Sequence, residues 1–542
     1  MYIAAVRGRF GAARNLVIIA VVALWAARTA PAATFECLHP VAFKHYIDDF
    51  NQHDQQLYPS TIRNSQAWRF LKKNIPFFDC PNKTLDQIYY FRWWTYRKHI
   101  EKTPVGYVIT EFLPHVPWAG PYNTIACAAG EHFYEGRWLH NPVYMQDYAT
   151  FWLRKGGLLR AYSFWIANAL WNLYLVNGHA KVVTRLLPEL IANYRAWEKM
   201  RQGPDGLFWQ VDDRDGMEMS AGGSGYRPTI NSYMYGDARA IYHIATLAGR
   251  PSIAEQFLRK ARRLRNLVLK NLWDEKAKFF ETRAHLAAGR MGGFVNVREE
   301  IGFTPWFFRL PPVGHGYAAA WSQLMNPHGF LAPFGPTTCE QRSPRFKISY
   351  QGHECQWNGP SWPFATSITL TALANLIDRG RQHVVNKADY LKILENYAKS
   401  QHIKTADGNI RPWIDEDLNP YTGNWIAHTL LLQRHQAPLL RGKDYNHSLF
   451  CDLIISGLVG LRPRAGSRIV VKPLVPPGRW AYFCLDHVLY HGYELTIVYD
   501  KTGHHYGRGA GLSIFADGRL VARRKTLGVL RGQLPPMAKS WR

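Results

Sequence analysis

The sequence predicts a mainly α chain, an (α/α) toroid followed by a small antiparallel β-domain, and three observations predict it. Between about residues 140 and 440 the apolar residues recur at helical spacing in successive segments. Short Gly-, Pro-, Asn- and Asp-rich breaks separate those segments, as turns joining helical hairpins would. After about residue 445 the pattern changes to brief β-rich runs bounded by turn residues.

The helical segments are Tyr144–Leu153, Tyr162–Asn177, Ala180–Met200, Ser232–Ala248, Ile253–Leu272, Trp362–Ile377, Ala388–Ser400 and Trp425–His435. Gly156-Gly157, Asn177-Gly178, Gly203-Pro204-Asp205-Gly206, Gly249-Arg250-Pro251 and Asp407-Gly408 punctuate them. Hairpins of this kind close around an axis and leave their connecting loops free for function at one end. The strands expected beyond them are Arg468–Lys472, Tyr482–Leu485, Glu494–Tyr499 and Gly511–Phe515.

Composition bounds the function. With 542 residues, 47% hydrophobic and 20% charged, the chain buries a large core and is not a disordered protein. Residues 1–32 hold Arg7, Arg9 and Arg14, an apolar run from Leu16 to Ala27, and Ala30-Pro31-Ala32. That is the pattern of a cleaved secretory signal, which predicts a secreted or periplasmic protein with no membrane span after its removal. All seven cysteines lie beyond it; Cys37 with Cys80 and Cys339 with Cys355 are the simplest disulfide guesses. No Cys/His spacing suits zinc, and no phosphate-loop, dinucleotide or metalloprotease motif is present, so neither a cofactor nor a metal is expected.

The formal net charge is +26, but nine Lys/Arg against one Asp fall in residues 501–542. The excess therefore points to a basic tail or outer surface rather than to nucleic acid or a polyanion in the active site. The oligomeric state is not readable.

Carboxylates and aromatic rings carry the expected chemistry. Twenty Trp, 29 Tyr and 27 Phe suit carbohydrate, whose C–H faces stack on aromatic rings, although core packing uses the same residues. One constellation runs Trp209-Gln210-Val211-Asp212-Asp213-Arg214-Asp215-Gly216-Met217-Glu218-Met219-Ser220 and on to Tyr226-Arg227. Its clustered acids repel one another, which raises the pKa of at least one, as a general acid needs. A second, Trp413-Ile414-Asp415-Glu416-Asp417-Leu418-Asn419-Pro420-Tyr421-Thr422-Gly423, stands before a helix, where helix capping is the plainer role for its acids. A third, Glu354-Cys355-Gln356-Trp357-Asn358-Gly359-Pro360-Ser361-Trp362-Pro363, also enters a helix and offers two rings around an amide. Glu300, in Glu299-Glu300, is a further candidate for a subsite wall.

Trp357-Asn358-Gly359-Pro360-Ser361-Trp362-Pro363 resembles the W-x-G-P-x-W-P signature of the (α/α)6 inverting glycosidases that include processing α-glucosidase, mannosylglycerate hydrolase and trehalase. Gly216 to Ser220 is similar to the segment that carries that group's general acid, and Glu416 to Gly423 to the segment that carries its general base. The resemblance implies a six-hairpin glycosidase in which Glu218 is the acid and Glu416 the base, with Asp213 and Asp215 as rivals for the acid role. This chain has Glu218 where the family has Asp, and Asp215 where it usually has Ser.

Trp357, Trp362 and Trp413 are then expected to line the cavity, with Asn358, Arg227 and Tyr226 as hydroxyl contacts. The implied layout is an N-terminal segment at 33–90, the (α/α)6 catalytic domain at 91–444, a β-sandwich at 445–525 like that of rhamnosidases, and a basic tail at 526–542. A polysaccharide lyase using Tyr226, Arg227 and His353, and a non-catalytic carbohydrate-binding protein, are the alternatives left open.

Overall fold

The computed structural model describes residues 35–438 and 440–536. The expected signal peptide at 1–32 lies outside the described residues. Each helical segment expected between 140 and 440 is present: Val143–Arg154, Ile166–Asn177, Pro228–Leu247, Pro251–Asn271, Pro363–Arg379, Lys387–Ser400 and Ile426–Gln433 follow the apolar periodicity within a few residues. Ala180–Met200 is split into Ala180–Arg185 and Leu187–Arg201, because Pro188 cannot donate to the preceding turn.

Two kinds of helix build the toroid. Pro251–Asn271 is amphipathic and buries Ala254, Phe257, Ala261, Leu264 and Val268, one stripe facing the interior. Ala126–Gly136 buries all eleven of its residues, and Pro363–Arg379 and Pro228–Leu247 are buried on most sides. Of these inner helices, Ala126–Gly136 has no polar face, so periodicity does not announce it. Gly130 shows how closely they approach: a Cβ there would stand 2.5 Å from the Trp165 ring. Two inner helices begin with proline at the first position, Pro228 and Pro363, where a missing N–H costs nothing.

The C-terminal region is an antiparallel sheet in the order Phe77–Asp79, Tyr482–Tyr490, Tyr493–Asp500, Gly511–Ala516, Arg519–Arg524, beside the pair Arg468–Val471 and Leu530–Gln533. Three boundaries differ from those expected. The sheet takes an edge strand from the N-terminal segment, with Phe77 opposite Asp486. Residues 450–458 are helical, ending in a π-helical turn, and their Cys451 and Asp452 amides donate to Glu135 of an inner helix, so 445–458 belongs to the helical body. Leu530–Gln533 makes a strand inside the segment expected to be a tail.

All seven cysteines are free thiols. The guessed pairs are not formed: the Cys80 thiol turns to the Asn82 carbonyl, Cys339 to Glu340 and Cys355 to Glu416. Among the described residues no helix is long and apolar enough to cross a membrane.

Candidate active site

The N-terminal ends of the inner helices open into a cavity of about 270 Å³ that holds both Glu218 and Glu416. Cys127, at the second position of Ala126–Gly136, and Trp362, the residue before Pro363, mark that end. Loops supply the rest of the wall, among them Glu111, Trp118, Tyr162, Asp213 and Arg441.

Glu218 stands on a tight turn. Asp212–Asp215 forms a 3-10 turn closed by Gly216 in the left-handed conformation (φ 71°), and Met219, on the other side, is also left-handed (φ 62°). Positive φ at a non-glycine residue is costly and recurs at sites where a side chain must be aimed. The Glu218 carbonyl accepts the Trp357 N–H at 3.1 Å, which ties the acidic loop to the Trp-rich one. Burial pushes the Glu218 carboxyl up to about 7, and the charges of Asp213, Glu416 and Glu111 push the same way.

Glu416 is held differently. Its Oε1 accepts from Arg441 Nε at 2.9 Å and Nη2 at 2.6 Å, and its Oε2 accepts the Cys355 thiol at 3.0 Å. Burial raises its pKa and the Arg441 guanidinium opposes that rise. Arg441 also donates from Nη1 to Glu354 at 3.0 Å and lies 5.0 Å from the centre of the Trp118 ring. The loop bearing it is pinned by Lys98, which bridges Asp54 and Asp444 at 2.6 Å each. Of the three consecutive acids, Glu416 alone faces the cavity: Asp417 accepts the Ala427 amide at the start of Ile426–Gln433, and Asp415 accepts from its neighbour's amide and from the Trp413 indole.

A third carboxyl, Glu111, lines the same cavity. It accepts Tyr445 Oη at 2.8 Å and lies 3.0 Å from His447 Nδ1; His447 Nε2 is 3.6 Å from Glu131. Glu111, Cys127 and His447 bring three ligand-type atoms within 4.8 Å of one another, the group best placed to hold a metal among the described residues. Tyr445 and His447 already satisfy one oxygen of that carboxylate.

The other expected residues divide sharply. Asp213 lines the cavity at an exposed position. Asp215 does not: it is 1% exposed and paired with Arg227 at 2.7 Å, with the Thr229 hydroxyl also bonded to it. Arg227, fully buried in that pair, is a structural clamp that donates also to Ser220 and the Gly223 carbonyl, not a substrate contact. Tyr226 is buried and donates to Gly289.

Of the rings, Trp362 lines the cavity and Trp357 stands behind it, stacked at 4.5 Å and 16°. Asn358 and Glu300 lie outside the lining, Glu300 as a buried carboxyl, and Trp413 borders a separate pocket with Lys443 and Asp444. The tryptophans that line the cavity are thus Trp362, itself 2% exposed, and the half-exposed Trp118. Trp357→Ala is expected to cost about 3–5 kcal/mol of stability by emptying the space behind Trp362, with Trp357→Phe losing less; denaturant unfolding of the two variants measures it.

Sequence reasoning missed Glu111, Arg441, Tyr445 and His447. Arg441-Gly442-Lys443-Asp444-Tyr445-Asn446-His447 carries a dense run of polar and aromatic residues just past the last expected toroid helix, which was the signal available.

A solved structure described as a sialidase is similar to this chain at 40% identity with a TM-score of 0.85, covering 91% of this chain and 45% of that one. The chain thus spans under half the length of that protein. The rhamnosidase of Bacillus SP. GL1 is similar at 12% identity and a TM-score of 0.50, over 80% of this chain and 41% of that one, a likeness of fold. The (α/α)6 toroid with a C-terminal antiparallel sheet is therefore the architecture of this chain. The model of the mannosylglycerate hydrolase MGH1-like glycoside hydrolase domain matches residues 121–448, which include Glu218, Glu416, Arg441 and both stacked tryptophans, and the chain belongs to that family of glycoside hydrolases.

Proposed function

We propose that the protein is an exported glycosidase that hydrolyses its substrate with inversion, Glu218 protonating the leaving-group oxygen while Glu416 deprotonates a water on the opposite face of the sugar. The observation that carries this reading is the unlike environment of two carboxyls on one cavity. Among the described residues Glu218 has no ion pair with a cation, and burial holds it up to about 7, so it keeps its proton near neutrality. Glu416 is paired with Arg441, which favours its ionised form. Burial raises both carboxyls, but a guanidinium opposes the rise at Glu416 alone, and such unlike environments are what acid and base roles require.

Inversion needs the pair roughly 6.5–9.5 Å apart, to admit a water, where retention needs roughly 5–5.5 Å. The sugar at the cleavage point is an acidic one of the sialic acid type. Likeness to a sialidase supports that assignment. So does Arg214, a guanidinium on the cavity wall to which no carboxylate is paired among the described residues.

Turnover of aryl sialosides beside glucosides, mannosides and rhamnosides, with the first-formed anomer read by NMR, tests both parts. Turnover of the neutral glycosides alone would overturn the acidic sugar, and retained configuration would overturn the water-activating base. The pH profile is a separate check. Because the acid must be protonated, kcat is expected to fall tenfold per unit above about pH 7. A flat profile to pH 9 would remove Glu218 from the acid role.

A further inference from the structure

At the other end of the inner helices lies a second cavity, of about 220 Å³, unlike the first. Tyr134 and Arg137 stand at the end of Ala126–Gly136, Arg239 and His243 in the second half of Pro228–Leu247, and Asn375 near the end of Pro363–Arg379. The same helices that open onto the carboxylates at their N-terminal ends therefore reach this cavity towards their C-terminal ends.

Its charge is lopsided. Arg137, Arg239, Arg309, Arg462 and Arg464 line it, with Asp452 as the single carboxylate of the wall. Helix C-terminal ends attract cations, and this accounts for part of the cluster. Arg137 is spent on Asp452 at 2.6 Å, and Arg309 on the Asn375 side chain and, at 3.4 Å, on Asp378. Arg239, Arg462 and Arg464 have no ion pair with a carboxylate among the described residues.

Arg462 is the telling one: it is 7% exposed, and among the described residues its Nε has no hydrogen-bond partner and its side chain makes a single long bond, of 3.4 Å, to the Ala374 carbonyl. Buried donors are nearly always satisfied, so an orphaned guanidinium N–H on a cavity wall marks a missing acceptor. Burial and the neighbouring Arg462 charge push Arg309 down to about 10, the mark of cations crowded without enough counter-charge.

We propose that this cavity is an anion site that holds a phosphate or sulfate group. Guanidinium forks match the oxygens of such groups, and three arginines without a paired carboxylate suit a multivalent oxyanion better than one carboxylate. Trp171 and His243 stack at 4.9 Å and 12° on the same wall and provide a flat surface for a ring that carries the group. The site is independent of the glycosidic reading, because none of its residues borders the cavity of Glu218 and Glu416.

Calorimetric titration of the whole protein with inorganic phosphate, inorganic sulfate and glucose 6-phosphate, in chloride buffer of constant ionic strength, tests the proposal. One saturable site is expected, weakened at least tenfold by Arg239→Gln and by Arg464→Gln, two positions exposed enough to leave folding intact. Tighter binding of glucose 6-phosphate than of phosphate, lost in Trp171→Ala, would assign a sugar-borne group; equal affinity would assign the free ion. Absence of saturable heat from all three probes overturns the site, as does equal affinity in the wild type and the Arg239→Gln/Arg464→Gln double variant. Glycoside turnover should be unchanged in both variants.

Discussion

Glu218→Gln is expected to lose about 10²–10⁴ in kcat on a natural glycoside while retaining most of its activity on aryl glycosides with acidic leaving groups. A good leaving group departs without a proton, so only the acid's contribution is bypassed. Loss of activity that is equal for both substrate types would show that Glu218 acts on binding or folding instead. The substitution has a second expected effect, on stability. A carboxyl whose pKa is about 7 in the fold and near 4.5 in the unfolded chain disfavours folding above pH 7, where it is ionised, and is neutral in its effect below pH 4.5. Glu218→Gln should therefore unfold at higher temperature than wild type at pH 8, and the difference should vanish towards pH 4.5. Calorimetric scans at the two pH values measure it, and a stabilised but slower enzyme is the signature of a group kept for chemistry.

Arg441→Leu is the other large effect. Arg441 is 3% exposed and neutralises Glu416 and Glu354 together, so its removal leaves a buried carboxylate uncompensated. Breaking such a pair costs about 3–5 kcal/mol. Glu416 loses the charge that opposes its upward shift, so the proton needed to neutralise it is held to higher pH. The acidic limb of the rate profile should move upwards, and the stability deficit should be smaller at pH 5 than at pH 7, because protonation relieves the stranded charge. A deficit independent of pH would mean that packing against Trp118 and Phe112, not charge, is what Arg441 contributes.

The helices with a polar face were legible because periodicity is a record of one-sided burial. Pro251–Asn271 carries its stripe openly, whereas Ala126–Gly136 is buried all round and has no stripe to read. The two loop-to-helix junctions with Glu218 and Glu416 were legible because acids packed with Gly, Pro and Trp are unusual as core. What the pattern did not distinguish was direction. Arg227 and Trp357 sit among the same motifs as the cavity residues, yet face inward, where one neutralises Asp215 and the other backs Trp362. Glu111 and Arg441 were hidden for a different reason: each is the single charged member of its loop to reach the cavity, and only closure of the toroid brings them beside residues far away in sequence.

The edge strand Phe77–Asp79 sets the order in which this protein can be finished. Its partner, Tyr482–Tyr490, is made several hundred residues later, and the Cys37 amide waits on Asp486, 449 positions away. Until those residues exist, Phe77 and Phe78, both at most 1% exposed in the folded molecule, have Phe43, Trp68, Tyr89 and Tyr90 against them but lack the cover that the sheet supplies. Without Tyr482–Tyr490 the helical body therefore keeps an open apolar seam along Phe77–Asp79. A product cut short before Tyr482 is expected to display that seam and to be cleaved faster than a chain that includes the strand, which limited proteolysis of the two measures.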